Sequence, residues 1–202
     1  MKFLILTPGR ECVDLYVNSL VDTVATLMND GHDVNYFICA GSDLLDQRNR
    51  LAGGDRHKGP QQTPYDGDYD YMLWIDSDQA WKPWHIYQAV SHDKDIVSAA
   101  IRTTDLDWPV FRTDEDLVGG KRMKELPTEL TQIAGVGFGW LLVRKGVFEA
   151  LEYPWFRRLP ALDGKLGYDS EDISWCRLAR EAGFEIWLDP ELRVAHLKTI
   201  AI

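Results

Sequence analysis

The first 52 residues alternate between short apolar runs and amphipathic segments, and this alternation restricts the fold more than any other feature. Residues 2–7 and 34–39 are apolar runs that predict two buried strands. Residues 13–28 carry apolar side chains spaced by three and four positions, which is typical of an amphipathic helix, and residues 43–52 predict a second helix. The order strand, helix, strand, helix predicts a Rossmann-like α/β fold with a mixed, mainly parallel central sheet flanked by helices.

The rest of the chain continues this alternation, so we expect one domain over residues 1–202. Further strands are predicted at residues 71–75, 96–101, 138–143, 185–188 and 192–196, with helices from about Pro83 and over residues 171–182. Gly119 and Gly120 predict a hairpin turn. Residues 53–70 lack periodicity and are rich in Gly, Pro and polar side chains, which predicts a mobile lid or a binding loop.

The composition disfavours several classes of function. The chain has 22 Lys and Arg against 32 Asp and Glu, which gives a formal net charge of −10. Nucleic acids and anionic membranes attract proteins through Lys and Arg, so neither is an expected partner. Three widely separated cysteines suggest neither a zinc knuckle nor a disulfide framework. No apolar run approaches the roughly 20 residues that span a bilayer, and the N-terminal run is too short for a signal peptide. We therefore expect a soluble, cytoplasmic protein without membrane insertion.

An acidic pair, Asp76 and Asp78, directly follows the apolar run 71–75. Ligands bind at the carboxyl ends of strands in open α/β sheets, and alternate side chains of an extended segment point the same way. Two converging carboxylates repel each other, and a hard divalent cation such as Mg²⁺ or Mn²⁺ would offset that repulsion. The pair therefore predicts a metal site, with a solvated Asp-Ser-Asp turn as the alternative.

Two further positions carry residues suited to proton transfer or metal binding. Glu171 and Asp172 open a predicted helix behind Ser170, where one carboxylate would act as a general base. The alternative is that both acids offset the helix dipole and Ser170 caps the helix. His196 follows two apolar residues at period two, so it is either a hydrogen-bonded core residue or a ligand of a metal held by Asp78.

Basic residues stand at two positions where a nucleotide would lie. Arg10 follows the first predicted strand, and Arg48 with Asn49 lies on the second predicted helix. These side chains would hold the ribose, base or phosphates of a nucleotide, or else they are ordinary surface residues. Because an acidic protein needs local positive charge to bind a diphosphate, we expect Lys and Arg to concentrate near Arg10, Arg48 and residues 56–58.

Six motifs follow one another along nearly the whole chain. They are Thr7-Pro8-Gly9-Arg10, Arg48-Asn49, Asp76-x-Asp78, Gly135-Val136-Gly137-Phe138-Gly139, Glu171-Asp172 and the late His196. Together they resemble the GT-A glycosyltransferases, and most closely the small inverting, family-2-like enzymes that include stand-alone viral transferases of the chlorella-virus type. The resemblance implies metal-dependent transfer of a sugar from a nucleoside-diphosphate sugar to a hydroxyl of a glycan acceptor. A UDP-sugar is the first candidate donor, and a deoxy sugar such as rhamnose is one option.

The resemblance also implies a role for each motif. Mn²⁺ or Mg²⁺ would be held by Asp78 and His196, with Asp76 contacting the metal or the ribose. Asp172 would be the catalytic base, with Glu171 as its neighbour and substitute. The donor or acceptor would contact Thr7, Pro8, Arg10, Arg48, Asn49, Asp76, Ser77, Gly137, Gly139 and Trp140. Residues 1–101 would form the nucleotide-sugar half and residues 102–202 the acceptor and catalytic half, with acceptor contacts from residues 53–70, 102–132 and 153–168.

Several alternatives stay open from the sequence. Asp169-Ser170 stands where the family has a Gly before its acidic pair, which leaves open which carboxylate reaches the acceptor. A phosphatase of the DxD-nucleophile type would carry its motif after the first strand and before a small hydroxyl residue. Here the motif follows the third predicted strand and precedes Gln79-Ala80. A non-catalytic sugar- or nucleotide-binding module and a retaining transferase would both keep the same donor-side residues.

Overall fold

The computed structural model describes residues 1–103, 107–162, 164 and 166–197. Parts of the predicted acceptor segments, residues 104–106, 163 and 165, lie outside this description, as do residues 198–202. Within it the strands are β1 (Lys2–Pro8), β2 (Asp33–Cys39), β3 (Tyr71–Ile75), β4 (Gln79–Ala80), β5 (Ile96–Ile101), β6 (Val110–Phe111), β7 (Thr131–Ile133), β8 (Gly135–Val136), β9 (Trp140–Arg144) and β10 (Ile186–His196). The α-helices are α1 (Asp14–Asn29), α2 (Leu44–Leu51), α3 (Trp84–Ser91), α4 (Asp114–Gly119) and α5 (Glu171–Glu181), and short 3₁₀ helices span Pro64–Gly67 and Phe148–Ala150.

The main sheet has the strand order β2-β1-β3-β9-β5-β10-β4, and β7 also pairs with β10. β1 is parallel to β2 and β3, and β5 is parallel to β10, whereas β9 runs antiparallel between β3 and β5. Five of the six longest described strands therefore run in one direction, which brings their carboxyl ends to one edge. The prediction of an α/β fold with a mixed, mainly parallel sheet is confirmed.

Both faces of the sheet are buried along β3. Met72 and Trp74 enter a hydrophobic cluster with residues of α2 and α5, whereas Leu73 and Ile75 enter a second cluster with residues of α1 and α3. Burial on both faces explains why the run 71–75 is continuously apolar. The end of this buried run at Ile75 also places Asp76 at the point where the chain leaves the sheet.

The β2 edge is more exposed than the sequence predicts. Every residue of β2 is half-buried or exposed, because this edge strand pairs only with β1. In α1, Val21 and Met28 are 62% and 60% exposed, whereas Ser19 and Thr23 are buried. The two buried hydroxyls accept hydrogen bonds from the backbone and indole N–H groups of Trp81 (3.1 and 2.9 Å), and these bonds turn a mixed face of α1 toward the sheet.

The predicted hairpin turn at Gly119-Gly120 is wrong. These residues end α4, whose first turn is closed by a capping box between Thr113 and Asp116. Gly120 follows in the left-handed conformation (φ 62°) that commonly ends helices. The paired glycines therefore mark a helix end and not a reversal between two strands.

The two strands predicted at residues 185–188 and 192–196 form one strand, β10. Its pairing with β5 shifts register between Asp189 and Arg193, which is the irregularity that the sequence pattern suggested as a break. The continuous strand carries His196 to the same edge of the sheet as Asp76.

Candidate active site

A cavity of about 260 Å³ lies at the edge where β3, β5 and β10 end. Seven predicted site residues line it: Arg48, Asp76, Gly137, Gly139, Glu171, Asp172 and His196. They come from α2, the turn after β3, the segment before β9, the start of α5 and the end of β10. Much of the remaining wall is apolar and includes Ile101, Val110, Val136 and Phe138. The fold thus brings residues from five separate parts of the sequence to one enclosed space.

Backbone contacts hold Asp76 at the end of β3. Its N–H donates to the carbonyl of Gly139 (3.2 Å), and its carbonyl accepts from the N–H of Gln79 (3.2 Å), which closes a turn. A Cβ at Gly139 would lie 2.7 Å from Cδ1 of Ile101, closer than real Cβ atoms approach. The absence of a side chain at Gly139 therefore lets this backbone pass directly beside Asp76.

Arg48 joins three elements of the cavity wall. It is 3% exposed, its Nη1 donates to Oε1 of Glu171 (3.0 Å), and its Nη2 lies 3.7 Å from Oδ1 of Asp76. The guanidinium carbon sits 4.9 Å from the centre of the Phe138 ring. Within the described residues Nε makes no hydrogen bond, so the guanidinium keeps one donor. A buried cation between two carboxylates holds α2, α5 and the turn after β3 together. We call Arg48, Glu171 and Asp76 the arginine cluster.

The charge state of Asp76 is set by its enclosed position. Although 37% of its side-chain surface is accessible, its carboxyl group is surrounded by protein, and this burial raises the pKa of Asp76 above its ordinary value. The nearby guanidinium of Arg48 works in the opposite direction, and the carboxylates of Asp78 and Asp172 raise the pKa further. The cavity therefore concentrates more negative charge than Arg48 alone offsets.

Asp78 and His196 meet where β10 ends. Nδ1 of His196 lies 3.2 Å from the carbonyl oxygen of Arg102, and Nε2 lies 3.2 Å from Oδ2 of Asp78. A carbonyl oxygen only accepts hydrogen bonds, so Nδ1 carries a proton, and when the ring is charged Nε2 also donates, to the carboxylate of Asp78. When Nε2 is deprotonated, it and Oδ2 of Asp78 are two atoms that can bind a metal ion across this short distance.

This donor set fits a divalent cation. Neighbouring ligands of an octahedral ion at about 2.1 Å stand about 3 Å apart, close to the separation of Oδ2 of Asp78 and Nε2 of His196. Carboxylate and imidazole together suit Mn²⁺, and a carboxylate also suits Mg²⁺. In the part of the chain that the structure describes, no three His, Cys, Asp or Glu side chains form a ready metal cage. Asp76 has one oxygen, Oδ1, 3.7 Å from Nη2 of Arg48, and its role as a metal or ribose contact stays a prediction.

Asp172 is held in place by one oxygen. Its Oδ1 accepts from the N–H of Ile173 (2.8 Å) and from the hydroxyl of Ser170, and Oδ2 lies 3.4 Å from where a Cβ of Gly137 would be. The expectation that Ser170 caps α5 is wrong, because its hydroxyl donates to Asp172 and makes no cap bond. Asp172 therefore turns an oxygen toward Gly137 in the cavity wall, whereas Glu171 is paired with Arg48.

Seven other predicted site residues do not line the cavity: Thr7, Pro8, Arg10, Asn49, Ser77, Asp78 and Trp140. Asp78 still contacts the cavity through His196. Asn49 is occupied elsewhere, since its amide donates to the carbonyl of Phe156 (2.8 Å) and accepts from the N–H of Phe156 (3.0 Å). Trp140 is fully buried in the core, and Thr7 pairs with the hydroxyl of Tyr16. These contacts give Asn49, Trp140 and Thr7 structural roles, and their contact with a substrate stays a prediction.

The expected concentration of positive charge is not formed. Among the described lining residues of the cavity, Arg48 is the one Lys or Arg. Arg10 is exposed, and Arg56 and His57 line a separate cavity with Asp46, Arg50 and Tyr153. Since a bound diphosphate would find little cationic protein here, its charge would have to be balanced mainly by a metal ion.

Sequence reasoning missed Gln79 and Phe138 as lining residues. Gln79 is 2% exposed and lies opposite His196 in the antiparallel pairing of β4 with β10. Phe138 packs against Arg48. It stands in the sequence between Gly137 and Gly139, which predict only a close approach of the backbone. A polar residue directly after an acidic motif at a strand end is the signal that points to Gln79.

Neither a protein-family model nor a curated protein sequence matches the chain. Solved structures do match. The viral protein A197 from STIV is 16% identical with a TM-score of 0.61, over 100% of this chain and 97% of that one. GalNAc-T7, solved with UDP, GalNAc and Mn²⁺, is 11% identical with a TM-score of 0.59, over 99% of this chain and 43% of its own. A mutant Drosophila β1,4-galactosyltransferase 7, solved with manganese, UDP-Gal and xylobiose, is 15% identical with a TM-score of 0.54, over 98% of this chain and 71% of its own.

The chain has the GT-A fold. At these identities the similarity establishes the fold alone, and the GT-A prediction made from the order of the motifs is confirmed at that level. Among the described residues of this GT-A chain, no helix is both long enough and apolar enough to cross a membrane.

Proposed function

We propose that this chain is a metal-dependent glycosyltransferase that moves a sugar from a nucleoside-diphosphate sugar to a hydroxyl of a glycan acceptor. The observation that carries the proposal is that a candidate base and a candidate metal ligand line the same cavity. Asp172 turns one carboxylate oxygen toward the cavity wall, and His196 of the same cavity forms with Asp78 a pair of potential metal-binding atoms. A base and a cation site at the carboxyl edge of a GT-A sheet are what such a transfer requires.

Asp172 is the proposed catalytic base. Its Oδ2 would take the proton from the acceptor hydroxyl while that oxygen bonds to the anomeric carbon and the bond from this carbon to the diphosphate breaks. The hydrogen bonds from Ile173 and Ser170 to Oδ1 fix the carboxylate so that Oδ2 stays directed at the cavity. Arg48 holds Glu171 and Asp76 in place and keeps its Nε as a donor for the substrate.

The metal would be held by Asp78 and His196. A Mn²⁺ or Mg²⁺ ion bound there supplies Lewis-acid neutralisation of the charge that develops on the departing diphosphate. The hydrogen bond from Nδ1 of His196 to the carbonyl of Arg102 orients the ring and keeps the Nε2 lone pair available. Asp76, with a raised pKa beside Arg48, is left to contact the ribose or sugar.

The arrangement of the carboxylates in the cavity favours an inverting, family-2-like reaction. A double displacement needs a second carboxylate free to attack the anomeric carbon. Glu171 is paired with Arg48 and Asp76 is directed at the same guanidinium, so Asp172 alone presents an oxygen outside the arginine cluster. One free carboxylate suits a single displacement, in which the acceptor attacks from the face opposite the leaving group.

The donor is proposed to be a UDP-sugar. Two solved structures with the same fold contain UDP or UDP-Gal together with manganese. A cavity of about 260 Å³ is smaller than the roughly 300–1,000 Å³ that encloses a drug-sized ligand, so it would hold the sugar and phosphates while the nucleoside extends outward. The viral neighbour A197 is consistent with a virus-type origin, and a deoxy sugar remains an option for the donor panel.

The test is turnover of a panel of nucleoside-diphosphate sugars with Mn²⁺, scored by nucleoside diphosphate release and by NMR of the anomeric product. We expect Asp172→Asn to lower turnover about 10²–10⁴-fold, the range typical of a lost general base. Binding of the nucleotide, measured by calorimetry, should hardly change. The matched control is Asp14→Asn, because Asp14 also opens a helix and also accepts from the next N–H (2.8 Å).

The outcomes separate the proposal from its rivals. Equal turnover in the wild type and Asp172→Asn would exclude Asp172 as the base. A wild type that binds UDP-sugars with metal but releases no nucleoside diphosphate would be a binding module. Retention of the donor's anomeric configuration in the product would overturn the inverting assignment and leave transfer intact.

A further inference from the structure

Gln79 is a buried polar residue in the cavity wall that no proposed step uses. It is 2% exposed, lines the cavity beside Asp76 and Gly139, and pairs with His196 across the β4–β10 ladder. Its place in the turn is fixed, since its N–H donates to the carbonyl of Asp76 (3.2 Å). A side chain so enclosed has few orientations available.

The orientation of its amide follows from its one partner. The nitrogen Nε2 donates to Oδ1 of Asp78 (3.1 Å), and a carboxylate can only accept, so the amide nitrogen must face Asp78. Oε1 is then buried and accepts no hydrogen bond from the residues that the structure describes. A buried oxygen left unpaired destabilises a protein, so its presence in a cavity wall points to a partner that arrives with the ligand.

The chemistry of that partner is restricted. An amide oxygen needs an O–H or N–H donor, and the phosphates of a nucleotide have no proton to offer. A metal at the Asp78–His196 pair would be held by Oδ2, whereas the amide nitrogen of Gln79 contacts the other oxygen, Oδ1. In a cavity that holds sugar and phosphates, a sugar hydroxyl is the donor that remains.

We propose that Oε1 of Gln79 accepts a hydrogen bond from one hydroxyl of the transferred sugar and thereby selects donors that carry it. The inference rests on the proposed function. A site that hydrogen-bonds a substrate hydroxyl rejects the analogue that lacks it by as much as about 10⁴–10⁵-fold, because its own polar atom is left unpaired. The hydrogen bond to Oδ1 of Asp78 positions the amide, while the proposed metal ligand atom of Asp78 is its other oxygen, Oδ2.

The experiment compares the preferred donor with its monodeoxy analogues in the wild type and in Gln79→Leu. We expect one deoxy analogue to lose at least about 100-fold in kcat/KM with the wild type, and this ratio to fall below about 10-fold in Gln79→Leu. The matched control is Gln88→Leu, because Gln88 also donates its amide to a carboxylate, Oδ2 of Asp189 (2.7 Å), and does not line the cavity. Gln79→Met, unbranched like glutamine, replaces Gln79→Leu if that variant fails to fold.

A second readout does not depend on turnover. UDP with Mn²⁺ should raise the melting temperature of the wild type and Gln79→Leu equally, whereas the donor sugar should add stabilisation only in the wild type. A deoxy discrimination that is the same in the wild type and Gln79→Leu would overturn the proposal, as would a loss of the UDP response in Gln79→Leu. If the wild type itself neither binds nor turns over any nucleotide sugar, the proposed function fails and the assignment of Gln79 fails with it, whereas a loss of discrimination in an active enzyme tests Gln79 alone.

Discussion

The two sides of the cavity differ in how far the protein satisfies its own polar groups. In the arginine cluster, two carboxylates share one buried guanidinium, and Nε of Arg48 is the one buried side-chain atom of the cluster without a partner in the described structure. On the other side, Nε2 of His196 contacts Oδ2 of Asp78, and Oε1 of Gln79 has no donor within the described residues. We call Asp78, Gln79 and His196 the open side.

The difference separates what holds the site from what binds its ligands. A cluster whose two carboxylates share one buried cation can be assembled during folding and keeps distant elements in register. On the open side, the Asp78–His196 pair holds two atoms that can bind a cation, and Oε1 of Gln79 can accept from a hydrogen-bond donor of a ligand. Substitutions in the arginine cluster should therefore change stability first, and substitutions on the open side should change ligand binding first.

The largest effect is expected on the open side. Asp78→Ala removes one of the two proposed metal ligands, so the rise in melting temperature that UDP produces with Mn²⁺ should disappear, as it should for the wild type in excess EDTA. Asp46→Ala is the control, because Asp46 is 61% exposed and its ion pair with Arg50 lies outside the cavity. An undiminished Mn²⁺ response in Asp78→Ala would contradict the assignment of the open side.

The arginine cluster should respond through stability. Arg48→Ala leaves Glu171 and Asp76 without their cation, and breaking a buried ion pair typically costs about 3–5 kcal/mol. Urea unfolding measures this loss. Arg50→Ala, two residues along the same helix and 61% exposed, should stay within about 0.5 kcal/mol of the wild type. Similar midpoints for the two variants would show that the cluster does not hold the site together.

A smaller effect tests whether every unpaired buried atom marks a ligand. Nδ1 of His85 is also buried without a partner in the described structure, but it lies outside this cavity, beside Trp84. Burial lowers the pKa of His85 to about 4, below the roughly 6.5 of an unfolded histidine. The unfolded chain therefore binds the proton first, and stability present above pH 6.5 should fall by up to about 3 kcal/mol as the pH drops toward 4.

The measurement is urea unfolding at several pH values. His85→Gln should lose this part of the acid sensitivity, whereas His57→Gln, at an exposed loop position, should keep it. Parallel pH profiles for the wild type and His85→Gln would show that burial at His85 has no energetic consequence, and unpaired atoms would then be weaker indicators on the open side as well.

The sequence predicts the central strands of the fold well, because a strand that is buried on both faces has apolar residues at nearly every position. The strands at 71–75 and 96–101 have the predicted bounds, since every position in them is buried. The same logic fails at α1, where Ser19 and Thr23 are buried through hydrogen bonds to Trp81. Apolar spacing carries no information about a hydroxyl that is buried by pairing.

Candidate site residues can be predicted from the sequence where a motif coincides with the end of a strand or helix. The hydrogen-bond partner of a side chain cannot be predicted in this way. Asp76, Asp172 and His196 follow from their places at element ends. That Asn49 pairs with Phe156, more than 100 residues away, cannot be deduced from a helix pattern. Nor does the sequence reveal that Glu171 is paired with Arg48, the contact on which the proposal of Asp172 as the base rests.

The antiparallel strand β9 has a consequence for how this chain tolerates insertions. It enters the sheet directly after Gly139 and pairs Trp140 with Ile75 and Leu141 with Trp74. Adding one residue before Trp140 would exchange the two faces of β9 and drive every core side chain of that strand to the wrong layer. Insertions and deletions should therefore be tolerated after the end of β9 but not directly before Trp140. Variants of this protein in a library would then differ in length at the end of β9 that follows Arg144 and not at the end that follows Gly139.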